Sequence, residues 1–286
     1  DLVSGGPPCQ PFSLGGKHRA QADHRDMWGE AVRAVRETKP PAFVFENVKG
    51  LTRATFATYL AYIVHQLTYP ELVRKPDEEW QLHLMRLEAH HTSGRGGGLK
   101  YNVVYRVLNA ADYGVPQRRE RVVFVGFRDD LGMEWSFPKE SHSLDALLWE
   151  QFRSKEYGDR HNVRLAELTD PRLYARALRL PKRPDSSPWR TVRDALGDLP
   201  DPELKAMEAR RFHDHRFQPG ARSYPGHTGS PLDLPAKTLK AGVHGVPGGE
   251  NMLLRPNGSV RYFTVRESAR LQTFPDNYRL HEIGRA

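Results

Sequence analysis

The chain has 286 residues, 38% hydrophobic and 27% charged, and a formal net charge of +8. That size and balance build an ample core in one large or two smaller domains, and the positive sign favours a polyanionic partner. No apolar run reaches the roughly 18 residues a membrane helix needs, so no membrane association is expected. One cysteine, Cys9, excludes an intramolecular disulfide and a multi-cysteine zinc site, and it fits a reducing cytoplasm.

Asp1–Ser4 reads as the end of a strand, followed by Gly-Gly-Pro-Pro and then Cys9. Gly5 and Gly6 permit a tight turn, while Pro7 and Pro8 fix φ and remove two donors. Such a turn holds a side chain outward at a strand end. Met27, Trp28, Ala31, Val32 and Val35 share one helical face, stopped by Pro40-Pro41. "AFVFENV" (42–48) predicts a buried strand that ends in polar residues. Phe56, Tyr59, Leu60, Ile63, Val64 and Leu67 recur at helical spacing, and a third helix is expected over 79–91. The "GRGGG" at 94–98 precedes a strand instead of joining strand to helix, so it reads as a linker and not a phosphate loop. "YNVVYRVL" (101–108) and "RVVFVGF" (121–127) read as further strands. Alternation of this kind predicts an α/β sheet with crossovers.

From 136 to 258 prolines and glycines multiply and apolar periodicity fades, which predicts a smaller, irregular second domain. Residues 172–193 hold seven basic residues against Asp185 alone, read either as a solvated face or as a polyanion contact. "HDH" at 213–215 lacks further ligands at useful spacing, so no metal is expected. Thr264 and Glu267 are spaced as a capping box and start a last helix. The expected organisation is 1–135, 136–258 and a return to the first domain over 259–286.

In open α/β sheets ligands gather at the carboxyl ends of the strands. Three such ends here carry reactive groups: Cys9, then Glu46 in "FENV", then Arg118, Arg119 and Arg121 in "QRRER". A thiol, a carboxyl group and guanidinium donors are therefore expected in one cleft. In this order "GGPPCQPFS", "FENV", "QRRERVVFVGF" and "VRESARLQTFPDNY" resemble four motifs of the DNA (cytosine-5)-methyltransferases, bacterial type, over nearly the whole chain.

The resemblance implies a partial Rossmann-like, S-adenosylmethionine-dependent methyltransferase sheet with an irregular target-recognition domain over 136–258. It implies that a glycine-rich cofactor loop precedes residue 1 and that a last motif follows residue 286. Strands before residue 1 are then expected in mid-sheet, leaving Asp1–Ser4 and Ala42–Val48 with open edges. The family's roles fall on Cys9 as nucleophile, Glu46 at the cytosine ring, and Arg119 and Arg121 as charge-stabilising donors. Pro8 and Met27 match cofactor-pocket positions, and Gln10, Ser13, Lys17 and Arg25 match a mobile loop that meets DNA. "PAKTLKAGVHGVPGGENM" (235–252) resembles the reading loop, with Thr238 and Leu239 at its Thr-Leu position and His244, Glu250 and Asn251 as candidate base contacts. Double-stranded DNA is the implied partner of a monomeric protein, with a cognate restriction endonuclease as a functional counterpart. A transfer-RNA cytosine-5 methyltransferase and a non-catalytic DNA-binding remnant stay open as alternatives.

Overall fold

The structure, a computed structural model, describes residues 1–8, 27–94, 97–165, 170–240 and 251–280. It divides into two compact units: Asp1–Leu108 with Glu120–Pro138, and Asn109–Arg119 with Lys139–Ala286.

The first unit contains β1 (Leu2–Gly5), α1 (Trp28–Thr38), β2 (Ala42–Val48), α2 (Ala57–Thr68), α3 (Trp80–Thr92), β3 (Tyr101–Asn109) and β4 (Glu120–Arg128). Its sheet has the order β1-β2-β4-β3. β1 runs parallel to β2, and β4 runs antiparallel to it. A parallel pair requires a crossover, and α1 lies within it. Among the described residues the expected open edge on 42–48 is closed over most of its length. β2 is paired through Ala42–Phe45 on one side and over its whole length on the other. Polar residues at the end of β2 continue the ladder, because backbone pairing is indifferent to side-chain polarity.

Phe43, Phe45, Val122 and Phe124 line one sheet face and are buried with Trp28, Val32 and Val35 of α1. The Trp28 ring meets Phe45 and Phe124 edge-on, with centroids 6.1 and 5.1 Å away. Met27 departs from the expected helical face. It stands one residue before α1 and is 39% exposed, since no complete turn carries it into the core. Tyr59, Leu60, Ile63 and Leu67 of α2 and Leu84 and Leu87 of α3 complete this core. Gly126 lies opposite Phe43, and a Cβ there would come within 2.2 Å of the Phe43 ring. Phe43 thus fills the space that the glycine leaves, and almost any side chain at 126 would displace it.

The second unit has short elements: β5 (His142–Ser143), α4 (Leu144–Phe152), α5 (Glu156–His161), α6 (Pro171–Leu178), β6 (Ser187–Pro188), α7 (Val192–Leu196), α8 (Ala206–Ala209), β7 (Ser230–Pro231), β8 (Met252–Leu254), β9 (Val260–Tyr262) and α9 (Val265–Leu271). Elements this short gain little from local propensity, so packing and side-chain hydrogen bonds hold them. One apolar cluster gathers Val192, Leu196, Leu253, Phe263 and Leu271, and another gathers Leu147, Tyr157 and Leu165. The expected capping box is present: the Thr264 hydroxyl accepts from Glu267 N, and the Glu267 carboxylate accepts from Thr264 N. A second box, Thr191 with Asp194, starts α7.

Candidate active site

Three sheet positions meet at one end of the first unit. β1 and β2 end there, and antiparallel β4 begins there. Glu46 lies opposite Val123, and Arg121 lies opposite Val48, so the two side chains share a sheet face. Arg121 Nε stands 2.6 Å from Glu46 Oε1, with the side chains 22% and 43% exposed. The pair is thus fixed in geometry and open to solvent. An Nη1 of Arg121 also donates to the Glu120 carbonyl at 2.8 Å, and Lys49 pairs with the Glu120 carboxylate at 2.6 Å.

Asn47, next to Glu46, points to the opposite, buried face and is only 3% exposed. Its Nδ2 donates to the Pro7 carbonyl at 3.0 Å, while its Oδ1 accepts from Val48 N at 2.8 Å. Asn47 therefore ties the Gly-Gly-Pro-Pro turn to the end of β2. A Cβ at Gly6 would lie 3.5 Å from Glu46 Oε2, so the turn passes directly beside the carboxylate. Sequence reasoning gave Asn47 no role. The available signal was a buried-face amide directly after the acid.

Pro8 is exposed at the end of this turn. Cys9, Gln10, Ser13, Lys17, Arg25, His244 and Glu250 lie outside the described residues. Arg119 belongs to the second unit, where its carbonyl accepts from Ala110 N at 3.0 Å.

The second unit stitches the arginine segment to the Thr-Leu segment. Ala236 N donates to the Pro116 carbonyl at 2.9 Å, and Arg118 N donates to the Ala236 carbonyl at 2.8 Å. Thr238 Oγ1 then donates to the Arg118 carbonyl at 2.7 Å, and Leu239 packs on the Val192–Leu271 cluster. Asn251 Oδ1 accepts from Lys240 N at 3.0 Å, and its Nδ2 donates to the Lys240 carbonyl at 2.7 Å. This amide closes the base of the segment 241–250.

Several other charges of this unit are structural. Arg193 makes two hydrogen bonds to Asp233, at 2.7 and 3.0 Å, and Tyr157 donates to the same carboxylate at 3.0 Å. Burial, reinforced by the Asp233 charge, pushes the Tyr157 phenol well above its ordinary range. Arg176 pairs with Asp145, and Arg183 with Glu150 and Glu156, so part of the basic 172–193 segment is neutralised internally. Arg261 and Glu267 form a bidentate pair with both contacts at 2.7 Å. Burial opposes the Arg261 charge, but the hydrogen bonds and charge of Glu267, with Asp201, outweigh it and hold its pKa above the ordinary value. Of the "HDH" residues, His215 is fully buried between the Thr264 hydroxyl and the Pro200 carbonyl, each at 2.8 Å.

The first unit is thus a mixed α/β sheet with a carboxylate and a guanidinium at its strand ends, beside a Gly-Gly-Pro-Pro turn. The sequence profile of the C-5 cytosine-specific DNA methylases matches residues 1–69 and 96–285, and the chain belongs to that family. It is 35% identical over 201 residues to the type II methyltransferase M.AquIA of Picosynechococcus, covering 70% of this chain and 60% of that one. It is 30% identical over 311 residues to M.SacI of Streptomyces achromogenes, covering 97% and 63%. With M.XorII of Xanthomonas oryzae pv. oryzae it shares 32% over 295 residues, covering 98% and 61%. The chain thus spans about six tenths of the length of these relatives.

Proposed function

We propose that this protein transfers a methyl group from S-adenosylmethionine to carbon 5 of a cytosine flipped out of a specific duplex DNA sequence. The observation that carries the reading is the oriented Glu46–Arg121 pair beside the turn that leads into Cys9. A cytosine inside the duplex is out of reach, so the base must leave the stack at a cost of about a few kcal/mol.

The Cys9 thiolate then attacks ring carbon 6. Glu46 holds the exocyclic amine and supplies a proton to ring nitrogen 3, which makes the ring electrophilic at carbon 6. Arg121 orients the Glu46 carboxyl group, and Arg119 is the second donor assigned to stabilising developing charge. Electron density pushed to carbon 5 would take the methyl group of S-adenosylmethionine, whose sulfur–methyl bond breaks to leave S-adenosylhomocysteine. Loss of the carbon-5 proton to a base then expels the Cys9 thiolate and restores the double bond.

S-adenosylmethionine supplies an electrophilic methyl group. The residues assigned to its pocket are exposed Pro8, in the turn after β1, and exposed Met27, just before α1. Residues 136–258 would read the target sequence, with Thr238 and Leu239 shaping the base of the reading loop and His244 within it. Gln10, Ser13, Lys17 and Arg25 would close over the flipped site. The type II relatives support a cognate restriction endonuclease as functional counterpart, and the protein would act as a cytoplasmic monomer.

The test is covalent trapping. Wild type should form an adduct with duplex carrying 5-fluorocytosine, and Cys9→Ser should form none while its turnover disappears. An adduct that persists in Cys9→Ser would remove Cys9 from the mechanism.

A further inference from the structure

The second unit carries a cleft of about 690 Å³ that none of the motifs above accounts for. Arg210, His213, Asp214, Arg216 and Gln218 line it together with Phe212 and Val265, so its wall is mostly polar and carries more cations than acids. Arg210 and Arg216 are exposed, and among the described residues neither is engaged in an ion pair. The single acid on the wall, Asp214, lies 3.6 Å from the guanidinium of Arg266, which is itself 1% exposed. Its charge is thereby countered from inside the protein.

The backbone beneath these side chains is held at several points. His215 is buried between Thr264 and Pro200. Arg266 Nε donates to the His213 carbonyl at 3.0 Å, and Arg266 N donates to the Asp214 carbonyl at 3.0 Å. Asp214 takes a left-handed φ of 59°, which these contacts maintain. The basic segment 172–193 differs, because Arg176, Arg183 and Arg193 there already hold carboxylates. In the 210–216 segment the cations remain available on a pre-formed base.

We propose that this cleft is a second DNA-contacting surface, in which Arg210 and Arg216 grip duplex phosphates without regard to sequence. For its partner the proposal rests on the methyltransferase reading above. Guanidinium groups match phosphate oxygens in bidentate geometry, and a pinned backbone leaves only side-chain freedom to be lost on binding. The polar side chains outnumber Phe212 and Val265 on the wall, which favours a charged ligand over an apolar one. A polyanion can reach two cations on either side of the pinned residues at once.

The test is a salt titration of duplex binding by the purified protein, with cognate and scrambled duplexes. Each phosphate contact contributes about 0.9 to the slope of log K against log salt, so the Arg210→Ala/Arg216→Ala double variant should flatten the slope by roughly 2 on both duplexes. Arg210→Lys/Arg216→Lys should keep most of the slope, and Arg176→Ala should leave it unchanged. Should the double alanine variant unfold, the single Arg216→Ala variant is expected to flatten the slope by about 1. An unchanged slope in a folded variant overturns the proposal, as does an effect confined to single-stranded RNA or to inorganic phosphate. Absence of duplex binding by wild type overturns it too. If the slope responds as expected but cytosine is not methylated, the surface stands and the methyltransferase reading fails. If methylation occurs with an unresponsive slope, the reverse holds.

Discussion

Two of the Arg–Glu pairs among the described residues have nearly equal length in opposite surroundings. Arg121 and Glu46 are 2.6 Å apart at the end of the first unit's sheet, 22% and 43% exposed. Arg261 and Glu267 are 2.7 Å apart in the second unit, 5% and 2% exposed. The buried carboxylate also caps α9 through Thr264 N, so both of its oxygens are committed within the fold. The exposed carboxylate keeps an accessible surface next to the Gly-Gly-Pro-Pro turn. Contact distance alone does not separate the two pairs. Solvent access does.

The contrast can be broken at either pair, and the larger effect is expected at the exposed one. Glu46→Gln should lower kcat by about 10²- to 10⁴-fold, the usual worth of a positioned general acid. The same change should alter unfolding free energy by less than about 1 kcal/mol, because half-exposed ion pairs contribute little. Parallel measurements of single-turnover methylation and urea unfolding check this. A variant that unfolds early while its folded fraction keeps full activity would reverse the roles assigned here.

At the buried pair the order inverts. Glu267→Ala leaves Arg261 charged and out of water and removes the α9 cap, so about 3–5 kcal/mol of unfolding free energy should be lost. Equilibrium denaturation followed by tryptophan fluorescence measures it. A midpoint equal to wild type would mean that solvent reaches Arg261, and the distinction between the pairs would collapse.

The same two regions show what was legible in the residues. Strands 42–48, 101–108 and 121–127 and the helix around 57–67 were readable because local periodicity and burial agree in a layered sheet. Glu46 and Arg121 were readable for a related reason: a charge that ends an apolar strand must face solvent or a ligand. Asn47 was not, since its role depends on a Pro7 carbonyl 40 residues away. The second unit was opaque on the same ground. His215 with Thr264 and Trp189 with Asp112 are links across 49 and 77 residues, and no local pattern announces them. Its two capping boxes were the exception, being local by construction, although only the one at Thr264 was read.

The smallest effect sharpens the comparison through pH. Arg270 is 13% exposed and reaches two carboxylates, Asp198 and Asp276, which are 69% and 48% exposed. Hydrogen bonds from Arg270 hold both carboxyl groups below the ordinary aspartate range. A depressed carboxylate stabilises the fold fully above its unfolded pKa of about 3.9, and that contribution disappears as pH falls toward the folded value. Because these carboxylates face solvent, screening limits the gain to about 1 kcal/mol or less for each. Asp198→Asn/Asp276→Asn should therefore lower the thermal midpoint slightly at pH 7, and the gap to wild type should close as the solution is acidified below about pH 4. Added salt at pH 7 should narrow the same gap, since the clamp is exposed to screening. Melting curves across pH and salt decide the matter. A gap that survives acid would show that the clamp acts through shape and not through charge.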